Sequence, residues 1–351
     1  MGALPDGTHL KVGTRLGKKE RAAVAQQRAR QKVLATIKAD IDDKANSFEK
    51  PSMVVHLLRR VGHFAKPVRL EIFKRRRAKE IENALKGSPG QGLLPHFLII
   101  GAPKCGTSWL RGVLAQHPQV AMVTEEIEYF SSYLDRPLNW YTAHFAPERL
   151  MQGEKAHTAP IVIGEKSASY CVMGADRIRL AHRLLPEARL VLMIRDPVSR
   201  HWAHAKQYFS KIHRGRLHIS KISRKELFAF FLRIQRFSEF SSMLANWTDV
   251  YPADRLLVVF QEEAFDYPQR ILDRVLQHVG ATNAYDPGCL RLLTKRKNVG
   301  PSIPMPEDVR LFLEDLLGPE RERLRTMLAC AKTADPADVP QRVTGADLVV
   351  N

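Results

Sequence analysis

Residues 97–110 read FLIIGAPKCGTSWL. The unbroken apolar run that begins at His96-Phe97 and ends at Ile100 has the texture of a buried strand. Gly101–Gly106 is a glycine-bounded loop, and Thr107 to Gln116 has the composition of a helix that stops near Pro118. Strand, loop and helix in that order bring the unpartnered N–H groups of the helix's first turn to the loop. Together with the positive end of the helix dipole they make an anion site. Gly106 lets the backbone come close to a phosphate, Thr107 and Ser108 add hydroxyl donors, and Lys104 adds a positive charge. Gly101 and Gly106 have the spacing of the nucleoside triphosphate loop GxxxxGK[ST], and Ser108 takes its last position, but Thr107 stands where that loop has its Lys. The loop is therefore read as built for one terminal phosphate and its attached group. A P-loop nucleotide kinase or NTPase is the alternative, and Thr107 argues against it.

Outward from this stretch the same texture repeats. Ile161–Ile163, Leu190–Ile194 and Leu256–Phe260 are apolar runs, and residues 175–185 read as a helix stopped before Pro186. Alternating strand and helix patterns predict an α/β domain: a P-loop-like three-layer fold with a central, mainly parallel sheet flanked by helices. Sheets of this kind bind ligands at the carboxyl ends of their strands. At one such end lies LVLMIRDPVSRHWAHAKQY, residues 190–208. Arg195 there offers a planar fork to a phosphate, and Asp196-Pro197 makes a plausible helix start.

PKCGTSWL resembles the 5′-phosphosulfate loop of sulfotransferases that use 3′-phosphoadenosine 5′-phosphosulfate (PAPS), commonly PKxGTxWL. The resemblance implies that Lys104, Cys105, Gly106, Thr107 and Ser108 hold the 5′-phosphate and that Lys104 neutralises the leaving oxygen. Trp109 matches a Trp that lies against adenine in cytosolic members; packing on the helix face is the other reading. RDPVSR resembles the family's 3′-phosphate motif, which implies Arg195 as binder and a structural ion pair for Arg200. One departure stands out: the Ser usual eight residues after that Arg is Ala203, with Ser199 or His204 as possible substitutes. Arg296 and Lys297 match a basic loop that closes over the 3′-phosphate.

MVTEEIEYF, residues 122–130, resembles the K-E-x-x-F-F element of heparan-sulfate-type members, in which the Glu is the general base. This selects Glu126, with Glu128 as rival and Glu125 in place of the usual Lys. GEKSASY, residues 164–170, resembles G-E-K-[ST]-x-x-Y, which makes Lys166 a second catalytic cation and assigns Glu165 to orienting it or to the acceptor. Trp140-Tyr141 with Phe145 resembles a W-Y-x-x-x-F stretch whose simplest role is packing. Members that act on phenols and steroids use a His base; His117 and His157 are the candidates here. The resemblance, over roughly residues 95–300, implies sulfuryl transfer from PAPS, with PAP as product and no metal, onto a hydroxyl or amine of an acceptor, with a glycan or glycoconjugate as the expected class. A non-catalytic anion-binding module on the same fold is the remaining alternative.

The formal charge is +18, and residues 1–90 carry most of it, with 21 Lys/Arg against 9 Asp/Glu. Residues 1–92 are read as a basic helical extension and linker, ending in GSPGQG at 87–92, and 93–351 as the catalytic domain. The extension can meet an anionic surface or polyanion. Cys105, Cys171, Cys289 and Cys330 form no CxxC pair, so neither a zinc site nor a disulfide framework is suggested. With no apolar signal region and no run of 18 apolar residues, the expectation is a soluble cytoplasmic protein without a membrane span.

Overall fold

The computed structural model describes residues 71, 73–83, 94–150, 162–212, 219–283, 285, 287–293 and 303–334. All of them fall in one compact unit, Pro51–Asn351. The extension before residue 71 and the linker at 87–92 lie outside the described residues.

Residues 73–83 form helix α1. Five strands follow: β1 (Phe97–Gly101), β2 (Val120–Met122), β3 (Val162–Lys166), β4 (Arg189–Ile194) and β5 (Leu256–Phe260). They build one sheet in the order β2-β3-β1-β4-β5, with every neighbouring pair parallel. The long helices between and after them are α2 (Thr107–Leu114), α3 (Ala175–Leu184), α4 (Pro197–Ile212), α5 (Arg224–Ile234), α6 (Phe240–Thr248), α7 (Gln261–Asp266), α8 (Pro268–Val279), α9 (Pro287–Leu293) and α10 (Glu307–Ala334). Strands β1 and β3 are buried along their whole length, which is why their sequences read as continuous runs and not as alternations. From β1 the chain moves out to β2, returns to β3 beside β1, then crosses to β4 and β5 on the other side. The winding direction therefore reverses at β1, the place at which sheets of this kind bind ligands, beyond the carboxyl ends of their strands. Gly164 is required by close approach: a Cβ there would lie 2.2 Å from Phe97 Cζ and 2.6 Å from Met122 Sδ.

The W-Y-x-x-x-F stretch packs, as its simplest reading has it. Tyr141 and Phe145 are buried, Tyr141 stacks on Tyr129 at 4.6 Å between centroids, and Phe130 meets Tyr141 and Tyr170 edge-on.

Helix α1 belongs to the same packing. Ile81 and Arg77 are each 1% exposed, Ile81 within the core. Glu80 accepts the N–H of Leu138 at 3.1 Å, and Lys74 reaches Asp176 at 3.2 Å. The basic run at 74–77 is thus divided by helical phase: Arg75 and Arg76 face solvent and Arg77 faces inward. Ile81→Ala is expected to lower the unfolding free energy by about 2–5 kcal/mol, read as a lower midpoint in urea at unchanged slope. Removing residues 1–86, which takes the whole helix, is expected to destabilise the domain further by the same assay.

Candidate active site

Loop Gly101–Gly106 turns sharply because Lys104 and Gly106 both adopt left-handed conformations, with φ of 71° and 93°. Gly suits such a position at no steric cost, and a Cβ at residue 106 would press on Met193 Cε at 3.2 Å. Gly106 caps α2 without any side-chain hydrogen bond to the helix start, so the N–H groups of Thr107 and Ser108 face outward, available to an anion. Two outside groups hold the loop. Arg200 Nε donates to Pro103 O at 3.0 Å, and Gln261 Nε2 donates to Lys104 O at 3.4 Å.

Within the loop, Cys105 is buried and burial pushes its thiol up to about 12. It stays a neutral core side chain whose thiol donates to the loop carbonyl of Pro103 at 3.8 Å. Thr107 is buried and Ser108 half-exposed. Trp109 is 2% exposed; its indole N–H donates to Leu293 O at 3.2 Å and its ring meets Phe265 edge-on. It ties α2 to α9.

Lys104 is surrounded by cations. Burial, then Arg195, Arg200 and Lys206, hold its ammonium below the usual lysine range. Neither Lys104 nor Arg195 forms a close ion pair among the described residues. Such a cluster at an uncapped helix start fits a multiply charged anion. Arg195 follows β4, and the next residue is bound on three sides. Asp196 Oδ1 accepts the N–H of Ser199 at 2.7 Å, its other oxygen pairs with Arg321 of α10, and its own N–H donates to Glu262 at 3.2 Å. Burial pushes the Glu262 carboxyl above the usual range.

Arg200 differs from expectation: among the described residues it makes no ion pair. It is buried and donates to Pro103 O, to Ser238 Oγ at 3.2 Å and to His204 Nδ1 at 2.7 Å, with Phe237 under its guanidinium. Neutral acceptors satisfy it because it acts as a brace between the phosphate loop and α4. Burial and then Arg200 push the His204 pKa down to about 3, so this ring is a neutral acceptor for Arg200. Ser199 is engaged through its N–H in the cap of α4. Lys206, one helical turn beyond Ala203, was missed in the sequence; its ammonium is held below the usual range by burial and then by Arg195.

The loop after β2 brings the carboxylates. Glu126 pairs with the Lys166 ammonium through one oxygen and accepts the Ala168 N–H at 3.0 Å through the other. Its side chain is 39% exposed, while that of Lys166 is 4% exposed. Lys166 also lies 3.5 Å from Ser108 Oγ, which joins the acidic loop to the phosphate loop. Glu125 turns away to Thr124, Arg149 and His144. Glu128 has a left-handed backbone, its N–H donating to Ser167 Oγ and its carbonyl accepting Ser132 N–H at 2.8 Å.

Glu165 departs from its expected roles. Adjacent strand residues point to opposite faces, so with Lys166 turned to the site Glu165 enters the core. It is fully buried, accepting hydroxyls from Tyr141, Tyr170 and Ser167. These bonds go to core hydroxyls and none to Lys166. Burial pushes its carboxyl above the usual range against the pull of those three donors. His117 is buried before the start of β2, at the sheet edge opposite the site, and its Nδ1 accepts the Gln119 N–H. His157, Arg296 and Lys297 lie outside the described residues.

Residues 94–287 match the family described as Sulfotransferase domain. The membrane-associated sulfotransferase kil1 of Dictyostelium discoideum is 35% identical over 128 residues, which cover 36% of this chain and 26% of that protein. Heparan sulfate glucosamine 3-O-sulfotransferase 6 of Homo sapiens is 31% identical over 127 residues, covering 36% of this chain and 34% of that one. The match thus spans only about a quarter to a third of either relative's length. A sulfotransferase structure from Alicyclobacillus acidocaldarius superposes with a TM-score of 0.50 at 22% identity, over 67% of this chain and 96% of the other. That likeness concerns the fold.

Proposed function

This chain belongs to the sulfotransferase domain family, and from that premise we propose that it transfers the sulfuryl group of PAPS to a hydroxyl or amine of a carbohydrate or glycoconjugate. The observation that carries the reading is the junction of Glu126, Lys166 and Ser108. A carboxylate able to take a proton, a cation and the phosphate loop converge at one point there. Lys104, Gly106, Thr107 and Ser108 hold the 5′ end of the donor, and Arg195 its 3′-phosphate, with Arg296 and Lys297 as the closing pair. The donor, when bound, supplies the sulfuryl group and a phosphate leaving group. Glu126 removes the acceptor's proton, a placed base being worth about 10²–10⁴-fold. Lys104 and Lys166 stabilise the charge on the departing oxygen. Side-chain cations thereby fill the place that Mg²⁺ takes in nucleoside triphosphate loops.

The named activity of the heparan sulfate relatives supports a glycan acceptor, as does the Glu126 element itself. Calorimetry with PAP, with and without Mg²⁺, followed by transfer of label from PAPS to a panel of glycans, tests the reading. Metal-independent binding and labelled glycan are expected. Binding of ATP with Mg²⁺, and of nothing else, overturns it in favour of a kinase.

A further inference from the structure

We propose that Ser167, oriented by Glu165, is a positioning residue that sets the base loop so that Glu126 meets Lys166; this rests on the reading of Glu126 as base. Glu165 accepts Tyr141 OH at 2.7 Å on one oxygen, and Tyr170 OH at 2.7 Å and Ser167 Oγ–H at 2.8 Å on the other. The single hydroxyl proton of Ser167 is thereby committed inward, and its lone pairs face the loop. There they accept the N–H of Glu128 at 2.9 Å. The direction at the loop follows from Glu128, whose N–H can only donate, so Ser167 Oγ accepts there and turns its own proton to Glu165.

What this chain holds is a strained point. Glu128 has φ 52°, a conformation that costs a non-glycine residue about 1–2 kcal/mol. It lies two residues beyond Glu126. Released, the backbone there relaxes and carries Glu126 away from Lys166 and from the Ala168 N–H. Other ties remain without Ser167: Arg177 donates to Phe130 O at 3.1 Å and to Ser131 O, and Ser131 Oγ meets Ser169 Oγ at 2.8 Å. The loop therefore stays closed and shifts only locally. A misplacement of about 1 Å is enough to lower a rate by about 10²-fold.

Three variants of the full chain decide the matter: Ser167→Ala, Ser167→Thr and Glu126→Gln. Ser167→Ala is expected to lower kcat about 10- to 100-fold, with KM for PAPS and the calorimetric PAP affinity unchanged. Ser167→Thr, which keeps the hydroxyl, restores kcat. Parental kcat in Ser167→Ala beside an inactive Glu126→Gln overturns the positioning role and leaves the base in place. Loss of PAP affinity together with kcat in Ser167→Ala overturns it too, marking a general structural role. Full turnover in Glu126→Gln removes the base reading beneath it.

Discussion

Glu126→Gln is expected to lower turnover by about 10²–10⁴-fold and to leave PAP affinity as it was. The amide has the shape of the carboxylate but cannot take up a proton at neutral pH. Its single carbonyl oxygen can serve either Lys166 or the Ala168 N–H, where the carboxylate serves both. The stability effect is a separate quantity: Glu126 is part-exposed but Lys166 is buried, and a buried charge that loses its partner is destabilised. Lys166 keeps Ser108 as a neighbour at 3.5 Å. Single-turnover assays at saturating PAPS, run beside PAP calorimetry, separate the two quantities. Turnover within a few-fold of the parent moves the base role to another group, with Glu128, the rival carboxylate two residues on, the next candidate.

Lys104→Ala is expected to lower kcat/KM for PAPS by about 10²–10³-fold and to weaken PAP binding with it. The ammonium of Lys104 is already disfavoured by burial and by Arg195, Arg200 and Lys206, so a bound anion stabilises the whole group at once. One complication is conformational. Lys104 has φ 71°, where alanine is strained and asparagine is at ease. Lys104→Asn removes the charge without the strain. Equal losses in the two variants assign the effect to charge; parental affinity in Lys104→Asn shows that the loop binds through its backbone alone.

Much of the fold was legible because its signals are local. The apolar runs became β1, β3, β4 and β5, and α2 and α3 lie where the composition around 107–116 and 175–185 set them. Pro197 begins α4 and Asp196 caps it, as expected from residue types that stabilise a helix start. Glu126 and Lys166 were singled out by motif resemblance and stand in contact. Less legible were the residues whose roles depend on what faces them. Arg200 reads as half of an ion pair until Pro103, Ser238 and His204 surround it. Glu165 reads as a site residue from its neighbour Lys166, yet strand alternation turns it to the core. Within the basic run at 74–77, only the packing of helix α1 sets the buried Arg77 apart from its exposed neighbours Arg75 and Arg76.

By itself the sequence determined the α/β texture and which chemical groups stand at the carboxyl end of each strand. Hydrophobic runs, glycines and caps act within a few residues of themselves, so their meaning survives without the fold. Only the tertiary structure decided which of the neighbours Glu165 and Lys166 turns to the site, what holds the base loop, and that Arg321 supports the junction at Asp196. Those ties join residues 39 and 125 positions apart, and a bond over such a separation leaves no periodic trace in the chain.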